Sequence, residues 1–273
     1  MDAEILLGHA LCKPKSWLLA HPEYILSGKE ILDLNTLLGR RKTGEPIAYI
    51  LAKCEFYGRG FVVNKNTLVP RPESETIIDM LLQECAARSH RDTGVMGSID
   101  SLTIIDVGTG SGALGITATL EINKLRPQNW QQKIALIDID PNCLEVAQIN
   151  ANNFGIDAHI VQGNLLSPIL NSEPKTRHLE LVILANLPYV PDNYEINNSA
   201  NHEPRLALFG GPDGLDLYRK MFAQLKSFVC PSVVVITESL LFQHVTLTSI
   251  ASQNGYKLAN RKDLVQSFTN TKN

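Results

Sequence analysis

Two rhythms of hydrophobic residues run along this chain, one helical and one of short, dense apolar runs. Up to about residue 52 apolar side chains return at steps of three and four, as in the stripe Ile5, Leu6, His9, Ala10 and again in Ile31, Leu34, Leu37, Leu38. That spacing lines up one face of a helix. Ser27 to Glu30, "SGKE", has capping-box spacing just ahead of the second stripe and predicts a helix start. The basic pair Arg40 and Arg41 reads as a solvated helix end. Residues 54–69, "CEFYGRGFVVNKNTLV", alternate instead and are rich in aromatic and β-branched types, which predicts a β-hairpin or short strands. Pro70 and Pro72 bar an N-terminal extension of the next helix, and Pro72 followed by acids suits its first turn. That helix should run to about Arg88, and the polar stretch Ser89 to Ser101 reads as a loop.

Beyond it the second rhythm takes over. "LTIIDVG", "KIALIDID", "AHIVQGN", "LELVILAN" and "SVVVITES" are apolar runs separated by helical stretches. Strands alternating with helices predict an α/β fold whose parallel sheet is covered on both faces. "NKLRPQNWQQK" between the first two of these runs reads as a surface loop.

Composition narrows the class without choosing a chemistry. A chain of 273 residues suits about two domains, and 44% hydrophobic with 19% charged residues describes an ordinary globular protein. The net charge of -3 argues against a broad nucleic-acid footprint, which usually needs a basic surplus. Five scattered cysteines without a C-x-x-C pair suit free thiols in a reducing compartment and predict no metal site. No basic-then-apolar leader opens the chain, and no apolar run approaches the ~18 residues of a membrane span. The expectation is a cytoplasmic protein away from membranes.

Candidate chemistry lies at the ends of the predicted strands. "DVGTGSG", Asp106 to Gly112, follows a strand and precedes a helix, so Gly108, Gly110 and Gly112 allow a tight turn and close backbone approach to a ligand at the helix start. The spacing differs from the G-x-G-x-x-G of dinucleotide binders and suits a ligand without a pyrophosphate; a plain strand-to-helix turn is the other reading. Asp138, at the tip of the second strand, can accept from both hydroxyls of a ribose, whereas an N-cap role fits Asp140 before Pro141 better. Asn164, ending the third strand, is either an acceptor for an adenine amino group or a loop asparagine without a ligand.

The fourth strand ends in Asn186-Leu187-Pro188-Tyr189. Pro188 biases Leu187 toward extended backbone and aims the local carbonyls. The Asn186 side-chain oxygen and a neighbouring main-chain carbonyl then make two acceptors that can grip both hydrogens of a planar NH2 group, with Tyr189 flat against it. Such a grip orients a weakly nucleophilic, conjugated nitrogen and stabilises the positive charge that builds as it attacks carbon. With a glycine loop, a ribose acid and no phosphate clamp, the natural electrophile is the methyl group of S-adenosylmethionine.

The chain resembles the HemK-type peptide chain release factor glutamine methyltransferases from Asp2 to about Asp263. The specific segments are "GEPIAYILAKCEFYGRGFVVNKNTLVPRPESE" (Gly44 to Glu75) and "EPRLALFGGPDGLDLYRKM" (Glu203 to Met221), joined by "DVGTGSGALG" and "DIDPNCLEVAQINA". The resemblance implies a class I S-adenosylmethionine-dependent methyltransferase, Rossmann-like, with a seven-stranded mostly parallel sheet and a small N-terminal helical domain. It divides the chain into a substrate-docking domain at 1–53, a hairpin linker at 54–72 and a catalytic domain at 73–273. The implied reaction methylates the side-chain amide of the glutamine in a release factor's Gly-Gly-Gln motif. Carried over by position, Gly108, Thr109, Gly110, Ser111, Gly112, Asp138, Asn164 and Leu165 bind the cofactor, and Asn186 to Tyr189 hold the glutamine, with Asn186 belonging to both sets. Three departures stand out: Leu187 where the family usually has proline, Asn164 where aspartate is common, and a tail lacking the usual glycines. "NLPY" also occurs in ribosomal RNA adenine dimethyltransferases, so an RNA or DNA adenine methyltransferase is the alternative; a non-catalytic module that keeps the fold is a third reading.

Overall fold

The computed structural model describes residues 2–89, 101–125, 131–170, 179–228, 230 and 232–270. The first rhythm folds as expected, into helices α1 (Asp2–Ala10), α2 (Lys15–Ala20), α3 (Gly28–Lys42) and the short α4 (Ile47–Ile50). The capping box at the start of α3 is made in full: Glu30 N–H donates to Ser27 Oγ at 3.3 Å and Ser27 N–H to Glu30 Oε2 at 2.7 Å. The apolar stripes are buried less than their spacing suggests. Only Leu6 of α1 is buried, and nothing in α3 is, because so few short helices enclose little volume. Arg40 and Arg41 are not simply solvated. Arg40 forks onto Glu45, and Arg41 reaches Asp2 at 2.8 Å because α1 begins beside the end of α3.

The alternating segment forms the antiparallel hairpin β1 (Lys53–Phe56) and β2 (Arg59–Val62). Its two-residue turn places both Tyr57 (φ 51°) and Gly58 (φ 71°) in the left-handed region, as a turn matched to strand twist requires. Phe56 and Phe61 of the hairpin pack edge to face and are buried in the same cluster as Ile77 and Leu81 of the next helix. That helix, α5 (Glu75–Ser89), follows a single 3-10 turn at Pro72–Ser74. The predicted loop after it falls almost wholly outside the described residues.

The remaining elements are β3 (Ser101–Val107), α6 (Ala113–Leu125), β4 (Gln131–Asp138), α7 (Pro141–Asn153), β5 (His159–Gln162), β6 (Leu179–Ala185), α8 (Arg205–Leu208), α9 (Asp216–Leu225), β7 (Ser232–Glu238), α10 (His244–Gln253), β8 (Tyr256–Lys262) and β9 (Val265–Asn270). The ends of "NKLRPQNWQQK" belong to α6 and β4, which shortens that expected loop; its middle lies outside the described residues. The seven-stranded sheet runs β5-β4-β3-β6-β7-β9-β8, parallel except where β9 pairs antiparallel with β7 and β8. The divergent tail therefore still forms its hairpin, with a bulge between Leu258 and Asn260.

Both faces of the sheet are buried, which is why its strands read as nearly continuous apolar runs. Ile104, Leu136, Val182 and Val234 face one hydrophobic cluster, and their neighbours Ile105, Ile137, Ile183 and Val235 face the other. Strand β3 sits between β4 and β6, so the chain order reverses there. In open α/β sheets a ligand crevice opens at such a point, outside the carboxyl ends of the strands.

Candidate active site

The glycine loop leaves β3 and is braced from below. Asp106 Oδ2 accepts from Thr109 Oγ1 at 2.7 Å and from Gly115 N–H at 2.9 Å. Burial pushes the Asp106 carboxyl up to about 6 against these donors. Gly108 has φ +69°, and a Cβ there would stand 3.1 Å from Leu187 Cδ2, so loop and Asn-Leu-Pro-Tyr segment approach as closely as glycine permits. Thr109 and Ser111 are buried; the Ser111 carbonyl accepts from Asn150 Nδ2 at 2.8 Å.

Asp138 ends β4 with its carboxylate drawn toward the loop. Oδ2 accepts from Gly110 N–H at 2.9 Å and Oδ1 from Asp140 N–H at 3.0 Å. Burial raises its pKa, and these N–H groups pull the other way. An ionised carboxylate has about four acceptor sites, so a diol can still be bound. Asp140 is the N-cap of α7, accepting from Asn142 N–H at 2.9 Å, as its place before Pro141 predicts. Past β5, Asn164 is exposed, while Leu165 is buried in the left-handed region at φ 56°. For a non-glycine residue that conformation costs energy and needs surrounding support. Gln224 of α9 gives some of it, accepting from Leu166 N–H at 2.9 Å.

At the end of β6, Asn186 Nδ2 donates to Ser74 Oγ at 2.8 Å. The buried Tyr218 hydroxyl donates to the Glu238 carbonyl at 2.5 Å and lies 3.3 Å from the Leu187 carbonyl. The Tyr189 hydroxyl donates to Glu238 Oε1 at 2.8 Å. Burial, reinforced by Glu238, holds the Tyr189 phenol far above its ordinary range, so it stays protonated and cannot serve as a base.

These groups surround a cleft with about 800 Å³ of empty space, open to solvent. It brings together the predicted Gly108, Gly110, Asp138, Asn164, Leu165 and Asn186, and Leu187 and Pro188 close one end. Thr109 and Ser111 line a smaller adjoining pocket with Ser74. Tyr189 lines a third with Leu187, Pro188, Leu68 and Arg71. Asn186 borders all three. Gly112 borders none; it packs the loop onto α7, where a Cβ would meet Ala147 Cβ at 3.3 Å. Sequence reasoning assigned no role to Ser74, Glu203 or Glu238. Glu203 is buried, bonds Arg71 and accepts from Val69 N–H at 3.0 Å, tying "VPR" to "EPR" beside the cleft. The signal was present, since both segments carry the family resemblance, but their meeting is a property of the fold. Among the described residues no group of three His, Cys, Asp or Glu side chains is placed to hold a metal, and no helix is long and apolar enough to cross a membrane.

A glycine loop after the first sheet strand, a carboxylate at the second strand tip and an antiparallel last hairpin define a Rossmann-like methyltransferase. Residues 99–240 match the family described as methyltransferase domain, and residues 1–51 match the PrmC N-terminal domain. A 16S rRNA methyltransferase of T. thermophilus in complex with AdoMet and guanosine shares the fold, with a TM-score of 0.51 and 13% identity over 81% of this chain and 50% of that one. A bifunctional methyltransferase of Rickettsia bellii is 32% identical over 98% of this chain, which spans about half of that relative, 49%. A release factor glutamine methyltransferase of Bacillus anthracis is 33% identical over 86% of this chain and 77% of its own length. The chain belongs to the release factor glutamine methyltransferase family.

Proposed function

We propose that this protein transfers the methyl group of S-adenosylmethionine to the side-chain amide nitrogen of the glutamine in a release factor's Gly-Gly-Gln motif. The cleft fits the donor. It offers a buried carboxylate for the ribose at Asp138, a close-approach loop at Gly108 and Gly110, and the half-exposed apolar Ile139 beside that carboxylate for a purine face. When bound, the donor supplies a sulfonium-activated methyl carbon.

The observation that carries the reading is the state of Asn186. Its NH2 end is taken up by Ser74, so the end left to accept is the oxygen, in a polar residue that borders cleft and side pockets alike. Asn186 Oδ1 and the Leu187 carbonyl would each take one hydrogen of the incoming amide, turning its nitrogen toward the cleft. As the new bond forms, the same oxygens face the developing positive charge. Tyr189, kept neutral, contributes a wall rather than a charge. The spent proton leaves to solvent after the nitrogen becomes cationic, so no strong base is needed.

The helical segment 1–53 is proposed to dock the release factor, in keeping with its exposed Leu19, Ile25 and Leu32. A cytoplasmic setting goes with this reading, and all five cysteines are free thiols. The test is direct: incubate the protein with labelled donor, a release factor and ribosomal RNA. Label on the Gly-Gly-Gln glutamine, lost when that glutamine is replaced by alanine, is the expected result; label on RNA alone would defeat the proposal.

A further inference from the structure

Gln243 ends the 3-10 turn Leu241–Gln243 that follows β7; it is 2% exposed and does not line the cleft. Both ends of its carboxamide are engaged. Nε2 donates to the Tyr189 carbonyl at 2.8 Å and to the Asp213 carbonyl at 2.7 Å, and Oε1 accepts from Leu240 N–H at 2.8 Å. An amide turned end for end would lose all three bonds, so the surrounding backbone sets its polarity. Two carbonyl oxygens from separate segments converge on one spot, where they would repel; an NH2 group with two hydrogens satisfies both. Gly214 permits the meeting. At φ +78°, a Cβ there would stand 2.0 Å from the Tyr189 carbonyl oxygen and 2.5 Å from Gln243 Nε2. Alongside, Val190 N–H donates to the Leu208 carbonyl and Gly210 N–H to the Val190 carbonyl, each at 2.9 Å.

We infer that Gln243 is a positioning residue for methyl transfer, its carboxamide fixing the Tyr189 main chain against the 210–214 loop so that Asn186, Leu187 and Tyr189 present one geometry to the substrate amide. The inference rests on the reading of Asn186 to Tyr189 as the amide-gripping segment. Prolines stiffen most of that segment: Pro188 fixes its own φ and restricts Leu187, and Pro191 does the same for Val190. Tyr189 lies between them, restrained by neither. Its carbonyl direction, and with it the peptide plane behind the ring, is what the Gln243 bond sets. A displacement of about 1 Å at reacting groups can cost about 10²-fold in rate, so a bond outside the cleft can matter to turnover.

Gln243→Met and Gln243→Glu in the full chain separate positioning from the filling of space. Methionine keeps length and volume but makes none of the three bonds. It should lower kcat by about ten- to a hundredfold, with donor affinity and KM for the release factor changed much less. A residue that only fills space would leave kcat per folded molecule unchanged, whatever it did to the unfolding midpoint. Should methionine prevent folding, Gln243→Glu decides, and it adds a pH signature. Ionised, the glutamate sets a charged oxygen against two carbonyl oxygens; protonated, it can donate to one of them and still accept from Leu240 N–H. Burial among acceptors raises the pKa of such a carboxyl, so kcat of this variant relative to wild type should climb as the pH is lowered from about 9 to about 6. Wild-type kcat in Gln243→Met, or in Gln243→Glu at the upper pH, would overturn the inference. A lowered ratio that ignores pH would trace the loss to packing and overturn it too. Absence of glutamine methylation by the wild type would instead overturn the proposed function. Hydrogen exchange at the Gln243 side-chain NH2, followed by NMR, needs no methyl acceptor and would still show whether that group holds the two carbonyls: slow exchange if it does, fast exchange if it does not.

Discussion

Asp106 carries a carboxyl where water does not reach, and its titration should be visible in the stability of the whole protein. Its folded pKa is raised from 3.8 to about 6, so within that window the folded state keeps a proton the unfolded chain has released. Stability therefore falls as pH rises through the window, by at most on the order of 3 kcal/mol from this group. Asp106→Asn keeps an acceptor for Thr109 and Gly115 and does not titrate. Urea unfolding at pH 4 and pH 7 should show the variant gaining on the wild type as pH rises, and a constant difference would refute the assignment. Two further substitutions separate the roles in the cleft. Asn186→Ala should reduce kcat by about 10²-fold or more while calorimetry finds donor affinity largely intact, a smaller loss than the one in turnover. Asp138→Ala should weaken donor binding by roughly ten- to a hundredfold, the worth of a hydrogen bond to a charged group; intact binding would point to another ribose ligand.

Periodicity is local, and the elements it predicts are the ones found. The capping box at Ser27, the hairpin around Gly58, the N-cap at Asp140 and the strand-tip positions of Asp138 and Asn186 all depend on neighbours within a few residues, so the sequence displays them. What it hides are contacts between segments far apart in the chain. Asn186 meets Ser74 across 112 residues and Arg71 meets Glu203 across 132. Which loops share a rim depends on the strand order, and no local pattern encodes that. Asn150 shows the same at the level of elements. Fully buried on α7, it accepts from Val62 N–H at 2.8 Å and donates to the carbonyls of Val62 and Ser111, so it clamps hairpin, helix and glycine loop together. Asn150→Ala would leave backbone groups of two other elements unsatisfied. It should cost about 2–3 kcal/mol, read by urea midpoint, and speed amide exchange at Val62. Exchange unchanged there would mean that the hairpin is held by Phe56 and Phe61 alone.

At the scale of the molecule, a sheet that buries apolar side chains on both faces is joined to a helical segment that buries very few. The helical part is nonetheless positioned: His202 Nε2 lies 2.9 Å from the Thr43 carbonyl, and the Tyr49 hydroxyl donates to the Thr67 carbonyl at 2.6 Å. Those bonds place it against 64–71, which borders the cleft, and against 198–203, which runs into Pro204 at the cleft's edge. Ile25 at 89% and Leu32 at 67% exposure then remain uncovered on a platform whose orientation relative to the cleft is set. If that platform docks the release factor, each such side chain is worth about 1.5–3 kcal/mol when fully buried. Ile25→Glu combined with Leu32→Glu should therefore raise KM for the release factor by about tenfold or more. The effect should stop there, because neither residue touches the cleft. Turnover at saturating release factor, donor affinity and the unfolding midpoint should match the wild type. An unchanged KM in a folded double variant would move the docking surface off these helices, toward the exposed Leu206 at the cleft mouth.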